Sequence, residues 1–184
     1  MKILVAYYSQ TNNTKLIAKT IYRHLSKEHQ VSLKKIKEIS PLTMNEYDIV
    51  FIGSACHHSN LAKPVLDLLH ELPKDPPYKM AGFCCHGTYK RDDPYPQAAE
   101  MFDKWAARGI KTFYNVSLEK GIDFKGVFNC MGVPSREIRV FIGNTIILDE
   151  NEWEIYLKEV EKHPSPEDLE EVKLFADKVV CAQV

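Results

Sequence analysis

Ile3-Leu4-Val5-Ala6-Tyr7-Tyr8, followed at once by Ser9-Gln10-Thr11-Asn12-Asn13-Thr14, is the stretch that decides the fold. The first six residues form a short apolar run with no polar alternation, the habit of a strand covered on both faces in a parallel sheet. From Thr14 onward Ile17, Ile21 and Leu25 recur every four residues, while Lys15, Lys19, Arg23 and Lys27 mark the opposite side, so a helix with a solvated basic face follows. The segment reads as strand, polar loop, helix.

Working outward, Val31-Ser32-Leu33 reads as a second strand and Asp48-Ile49-Val50-Phe51-Ile52-Gly53 as a third. Pro64 to Leu72 gives a helix with Pro in its first turn, stopped by the proline-rich Pro73 to Pro77. Met80-Ala81-Gly82-Phe83-Cys84-Cys85 is a fourth strand, with Cys84 and Cys85 facing opposite sides of the sheet. Ala98, Met101, Phe102 and Trp105 mark a helix that Gly109 ends, and Ile110 to Val116 is expected to be the fifth strand. Such alternation defines an α/β protein with a doubly wound five-stranded parallel sheet and helices on both faces, whose ligands bind outside the carboxyl ends of the strands. Residues 118–150 fit the alternation less well and are a possible insertion. Within them Ile138 to Ile142 and Thr145 to Leu148 are expected to pair as a hairpin about Gly143-Asn144. The last helix is capped by Ser165, with Pro166 in the first position and Asp168 three residues after the cap.

With 184 residues, 45% of them hydrophobic and 27% charged, the chain is expected to form one domain, residues 1–184. No apolar run is long enough to span a membrane and no signal-peptide pattern opens the chain, so a cytoplasmic location is expected. The five cysteines, Cys56, Cys84, Cys85, Cys130 and Cys181, have neither disulfide-framework nor zinc-ribbon spacing and are expected to be reduced thiols. Basic and acidic residues number 24 and 25, which gives no reason to expect nucleic acid or an anionic membrane as partner.

The loop Ser9 to Thr14 carries three hydroxyls and no charge. Unpaired N–H groups at a helix start lie at the positive end of its dipole, and short hydroxyls add donors, so the loop suits a phosphate. Asn12 and Asn13 tolerate the left-handed backbone that such a nest needs. There is no Gly-Lys-Ser/Thr for a triphosphate with magnesium and no Gly-x-Gly-x-x-Gly for a dinucleotide, which leaves a single monophosphate ester as the better fit.

Val5 to Ala18, with its aromatic followed by Ser9-Gln10-Thr11-Asn12-Asn13-Thr14, is similar to the phosphate signature of flavodoxins, which bind flavin mononucleotide (FMN). Ile52-Gly53-Ser54, Cys85-His86-Gly87-Thr88 and the tail His163-Pro164-Ser165-Pro166-Glu167-Asp168-Leu169 extend that resemblance over nearly the whole chain. It implies a strand order of 2-1-3-4-5 and an electron-transfer function. Carried over, Ser9, Gln10, Thr11, Asn12, Asn13 and Thr14 bind the phosphate. Ser54, Ala55, Cys56, His57 and His58 flank the isoalloxazine on one side, and His86, Gly87, Thr88 and Tyr89 on the other. The partner is then a redox protein or a small electron acceptor.

Three other readings stand beside the electron carrier. One is an FMN-dependent NAD(P)H:quinone-type reductase, although no nicotinamide-binding motif is visible. A lower one is a transition-metal site made by Cys56, His57, His58, Cys85 and His86, whose spacing matches no ligand set. The third is a cofactor-free binding module, against which the intact hydroxyl loop argues. Cys130 reads as a loop cysteine or as a reactive thiol beside the flavin. The apolar 138–148 segment is expected to cover the flavin loops or to pair two subunits as a homodimer. His57, His58 and His86, with Lys90 and Arg91 behind them and Asp92 and Asp93 as the offset, are expected to make the ring site less negative than in acidic flavodoxins.

Overall fold

The computed structural model describes residues 1–181. Its parallel sheet is built from β1 (Lys2–Tyr7), β2 (Gln30–Lys35), β3 (Ile49–His57), β5 (Lys79–His86) and β6 (Phe124–Met131), in the order β2-β1-β3-β5-β6. A two-residue β4 (Asn60–Leu61) folds back antiparallel on the end of β3. Counting the parallel strands alone, this is the expected 2-1-3-4-5 arrangement.

The helices are α1 (Asn13–Leu25), α2 (Pro41–Met44), α3 (Lys63–Glu71), α4 (Ala98–Trp105), α5 (Ala107–Lys120), α6 (Arg136–Thr145), α7 (Glu150–Val160) and α8 (Pro166–Cys181). Alternation along β1 divides the core in two. Ile3, Val5 and Tyr7 face α1 and α8, whereas Leu4 and Ala6 face α3 and α5. Cys85 and Cys84 fall on these two sides as the sequence implies. A third cluster, formed by α4, α6 and α7 around Tyr89 and Tyr156, caps one end of the sheet.

Three expectations are corrected. Ile110 to Val116 is helical, inside α5, and the fifth parallel strand is β6. Phe113 and Val116 are three apart and both buried, which satisfies helical spacing, while Tyr114 and Leu118 point to solvent. The break after α4 falls at Ala106 rather than Gly109, which sits within α5. The 138–148 hairpin does not exist. Ser135 caps α6, its hydroxyl accepting from the Ile138 N–H, and the helix continues through Gly143-Asn144. Gly143 is a contact residue there, because a Cβ would lie 3.2 Å from the Trp153 ring of α7. Only Ile142 of α6 is fully buried; Ile138, Val140 and Phe141 are 49%, 55% and 44% exposed.

The start of α8 is tied to the loop that follows β5. Ser165 N–H donates to Asp168 Oδ2 at 2.9 Å and Asp168 N–H donates back to Ser165 Oγ, the reciprocal box expected from the sequence. Asp168 is buried, yet it also takes His163 Nδ1 at 2.5 Å and Lys90 Nζ at 3.0 Å. Burial alone would raise this carboxyl, but the bonds from His163, Ser165 and Lys90 bring it down to about 2. The bond to Asp168 holds His163 above its ordinary value against the opposing effect of burial.

The depressed Asp168 contributes stability that is present above about pH 3.8 and lost as pH falls through about 2. The raised His163 contributes stability that is full below about pH 6.5 and lost as pH rises through its folded value. Asp168→Asn is therefore expected to cost about 2–4 kcal/mol near pH 6, since it strips a carboxylate from two cationic partners. The variant should also lose the wild type's decline in stability between neutral and mildly alkaline pH. Urea unfolding at several pH values checks both.

Candidate functional site

The chain leaves β1 toward β2 on one side and returns through β3 on the other, so the carboxyl end of β1 lies at the switch point of the sheet. The loop Ser9–Asn12 sits there and leads into α1. Asn12 adopts the left-handed region (φ 68°), and the first helical bond runs from the Leu16 N–H to its carbonyl. No backbone N–H from Ser9 to Lys15 donates to a protein acceptor among the described residues. The loop thus presents a run of unclaimed donors at the positive end of a 13-residue helix.

Its shape is fixed by a clasp absent from the sequence reading. Asn13 Nδ2 donates to Thr11 Oγ1 at 2.9 Å and to the Val133 carbonyl at 2.8 Å, joining the loop to the segment after β6. Gly132 permits the approach, because a Cβ there would lie 2.8 Å from Asn13 Cγ. Thr11 is exposed, and since its oxygen accepts from Asn13, its own O–H proton is available to a ligand. Thr14 is buried in the first turn of α1.

Ser54 to His58 close the end of β3. The Ser54 hydroxyl is turned inward, donating to Ala55 O at 2.8 Å and accepting from Ala62 N–H at 2.9 Å, so it ties down the hairpin rather than facing outward. Ala55 is half-buried and pairs with Cys85 across the sheet. Cys56 donates its S–H to the Trp105 carbonyl, and burial pushes the thiol up to about 12. His57 meets Tyr8 edge-on at 5.8 Å, and burial followed by the neighbouring His58 lowers its pKa. His58 and Ser59 form the two-residue turn into β4, both with positive φ (49° and 64°) and neither a glycine. A turn of that kind stores strain of about 1–2 kcal/mol per residue.

The other flank, His86 to Tyr89, is more enclosed. The Thr88 carbonyl can only accept, so His86 Nδ1 carries the proton of that 2.9 Å bond, while Nε2 lies 3.0 Å from the Asn129 carboxamide. Burial holds His86 below its ordinary value, leaving a neutral ring edge-on to Phe102 at 5.4 Å. The Gly87 carbonyl accepts from Tyr156. Tyr89 is stacked on Tyr95 at 4.4 Å inside the third cluster. Thr88 Oγ1 and Tyr89 OH are buried without a partner.

Two sequence expectations change in consequence, and the lower metal reading finds no support. The Lys90 and Arg91 cations are matched by Asp168, Glu171 and Asp103, so the ring site is less basic than the local sequence suggests. Cys130 is neither loop nor exposed; it is wholly buried in β6, 3.7 Å from Cys85, and that neighbouring thiol and burial hold its own proton firmly. Cys85 and His86 point to opposite faces, and among the described residues no group of three or more His, Cys, Asp or Glu could hold a metal.

An open parallel α/β sheet with a neutral, donor-rich loop at its switch point is the doubly wound class of α/β protein. A flavodoxin-domain family model matches residues 4–177, and the chain belongs to the flavodoxin family. It is 27% identical over 191 residues to the flavodoxin-like domain-containing protein BilS of Clostridioides difficile, covering 96% of this chain and 94% of that protein. The fold matches oxidised flavodoxin 2 of Bacillus cereus (TM-score 0.63, 20% identity, 99% of each chain). It also matches a Streptococcus pneumoniae flavodoxin (TM-score 0.63, 13% identity, 99% of each chain). No helix among the described residues is long and apolar enough to cross a membrane.

The clasp generates a test. Gly132→Ala is expected to drive Asn13 from its place and cost about 1–3 kcal/mol, comparable to a bonded group displaced from a packed contact. Amide exchange at Leu16 and the next residues of α1, whose N–H groups are bonded, should rise, whereas exchange along β3 and β5 should not.

Proposed function

We propose that the chain holds FMN by its phosphate on the Ser9–Thr14 loop and serves as an electron-transfer flavoprotein. The observation that carries this reading is the run of unclaimed N–H groups from Ser9 to Lys15 at the start of α1. Those donors, with the Thr11 hydroxyl, supply hydrogen bonds to one dianionic group without a lysine or arginine inside the loop. Bound there, FMN supplies reversible one- or two-electron redox chemistry. Family membership supports the assignment, and so does the absence of a second glycine turn for a pyrophosphate, which favours FMN over FAD.

The chain's own residues hold and shield. The Asn13 clasp holds the loop to the segment after β6, Ser54 anchors the His58–Ser59 turn, and the Lys90–Asp168 pair fixes the segment after β5. His57 and His86, kept neutral by burial, place no full positive charge against the ring near pH 7. Electrons pass to a redox protein or a small acceptor.

Purified protein mixed with FMN is expected to carry flavin absorption through gel filtration and to leave FAD behind. Thr11→Ala should weaken FMN binding by about 1–3 kcal/mol, the usual worth of a hydrogen bond to a charged group. Failure to take up FMN overturns the reading. Unchanged affinity in Thr11→Ala would remove that hydroxyl from the site.

A further inference from the structure

We propose that a cleft beside the loop, at the carboxyl ends of β1 and β2, is a second ligand site that takes a small planar anion of mononucleotide size. The cleft encloses about 410 Å³, within the range of roughly 300–1,000 Å³ typical of small-molecule sites. It lies on the β2 side of β1, whereas Ser54–His58 and His86–Tyr89 lie on the β3 side. Tyr8 forms the partition, lining the cleft while meeting His57 edge-on.

The lining combines two chemistries. Lys15, Lys35 and Lys37 face it, and none of the three forms an ion pair among the described residues. Six lysines elsewhere do find a carboxylate, among them Lys63 with Asp67 and Lys173 with Glu170. Glu38, next to Lys37 in the chain, has its carboxylate engaged by the Lys35 N–H at 2.9 Å. The apolar part of the lining is Tyr8, Pro64 and the largely buried Ile36, with the Tyr8 ring as an aromatic face. Three unpaired cations over such walls match a ligand with an aromatic plane and a phosphate or sulfonate group, since charge alone would leave the walls uncovered. Ser9 and Asn12 line the same cleft, so an occupant would lie against the back of the loop proposed to hold FMN. The cleft itself does not depend on that proposal.

The test is calorimetric titration of the purified protein, with and without FMN, using three probes: AMP, adenosine and inorganic phosphate. AMP is expected to bind in both states, with adenosine and phosphate each at least tenfold weaker. Lys35→Ala/Lys37→Ala, which changes two exposed side chains, should weaken AMP at least tenfold and leave FMN affinity unchanged. No AMP binding, or equal AMP affinity in the double variant, overturns the proposal. Phosphate binding as tight as AMP overturns its planar half, and AMP binding abolished by FMN places the probe in the flavin loop rather than the cleft. FMN uptake is measured separately, so a failure of the flavin reading cannot be mistaken for a failure here.

Discussion

A strand with no solvent face can use only its two ends for chemistry. Ile3, Leu4, Val5 and Ala6 are completely buried, hydrogen-bonded to β2 and β3 and covered by helices from above and below. Every polar feature that matters is thereby pushed to the carboxyl end, where the chain must turn. The same confinement acts on β3 and β5, whose loops emerge beside that of β1. The site is the place where three buried strands run out together.

Holding those ends still falls to polar ties, three of them between elements distant in sequence and one within the β3–β4 hairpin. The Asn13 carboxamide reaches Val133, Ser54 reaches Ala62, Tyr156 reaches the Gly87 carbonyl, and Lys90 reaches Asp168. Each joins a site loop to a different part of the scaffold. The three neutral bonds are worth about 0.5–1.5 kcal/mol apiece, so their role is less to stabilise the domain than to give loops one arrangement, whereas the Lys90–Asp168 ion pair does both.

The central strands and the polar loop between β1 and α1 were legible because their signals are local. Ile49 to Ile52 and Met80 to Cys85 are unbroken or nearly so in apolar character, and Ser9 to Thr14 stands out by composition. The α5–β6 region was misread for the opposite reason. Ile110, Phe113 and Val116 suit a strand by residue type and a helix by spacing, and only packing of Phe113 beneath the sheet chooses. β6 carries Lys125, Gly126 and Asn129, with a register irregularity opposite Met80 to Gly82, so no apolar run announces it. Gly143-Asn144 resembles a hairpin turn until Trp153 is seen against it. The Asn13 clasp was invisible because its partner follows the strand that was missed.

That clasp also bears on how the protein comes into being on the ribosome. Asn13 and Val133 are 120 positions apart, and β6 must have emerged and docked on β5 before the two can meet. Contacts of such long range form late, after their loop-closure entropy has been met by the rest of the sheet. A nascent chain long enough to make β1, β2, β3 and β5 therefore still has an unclasped N-terminal loop. A feature begun at residues 9–15 is thus completed only once residues past 130 are available.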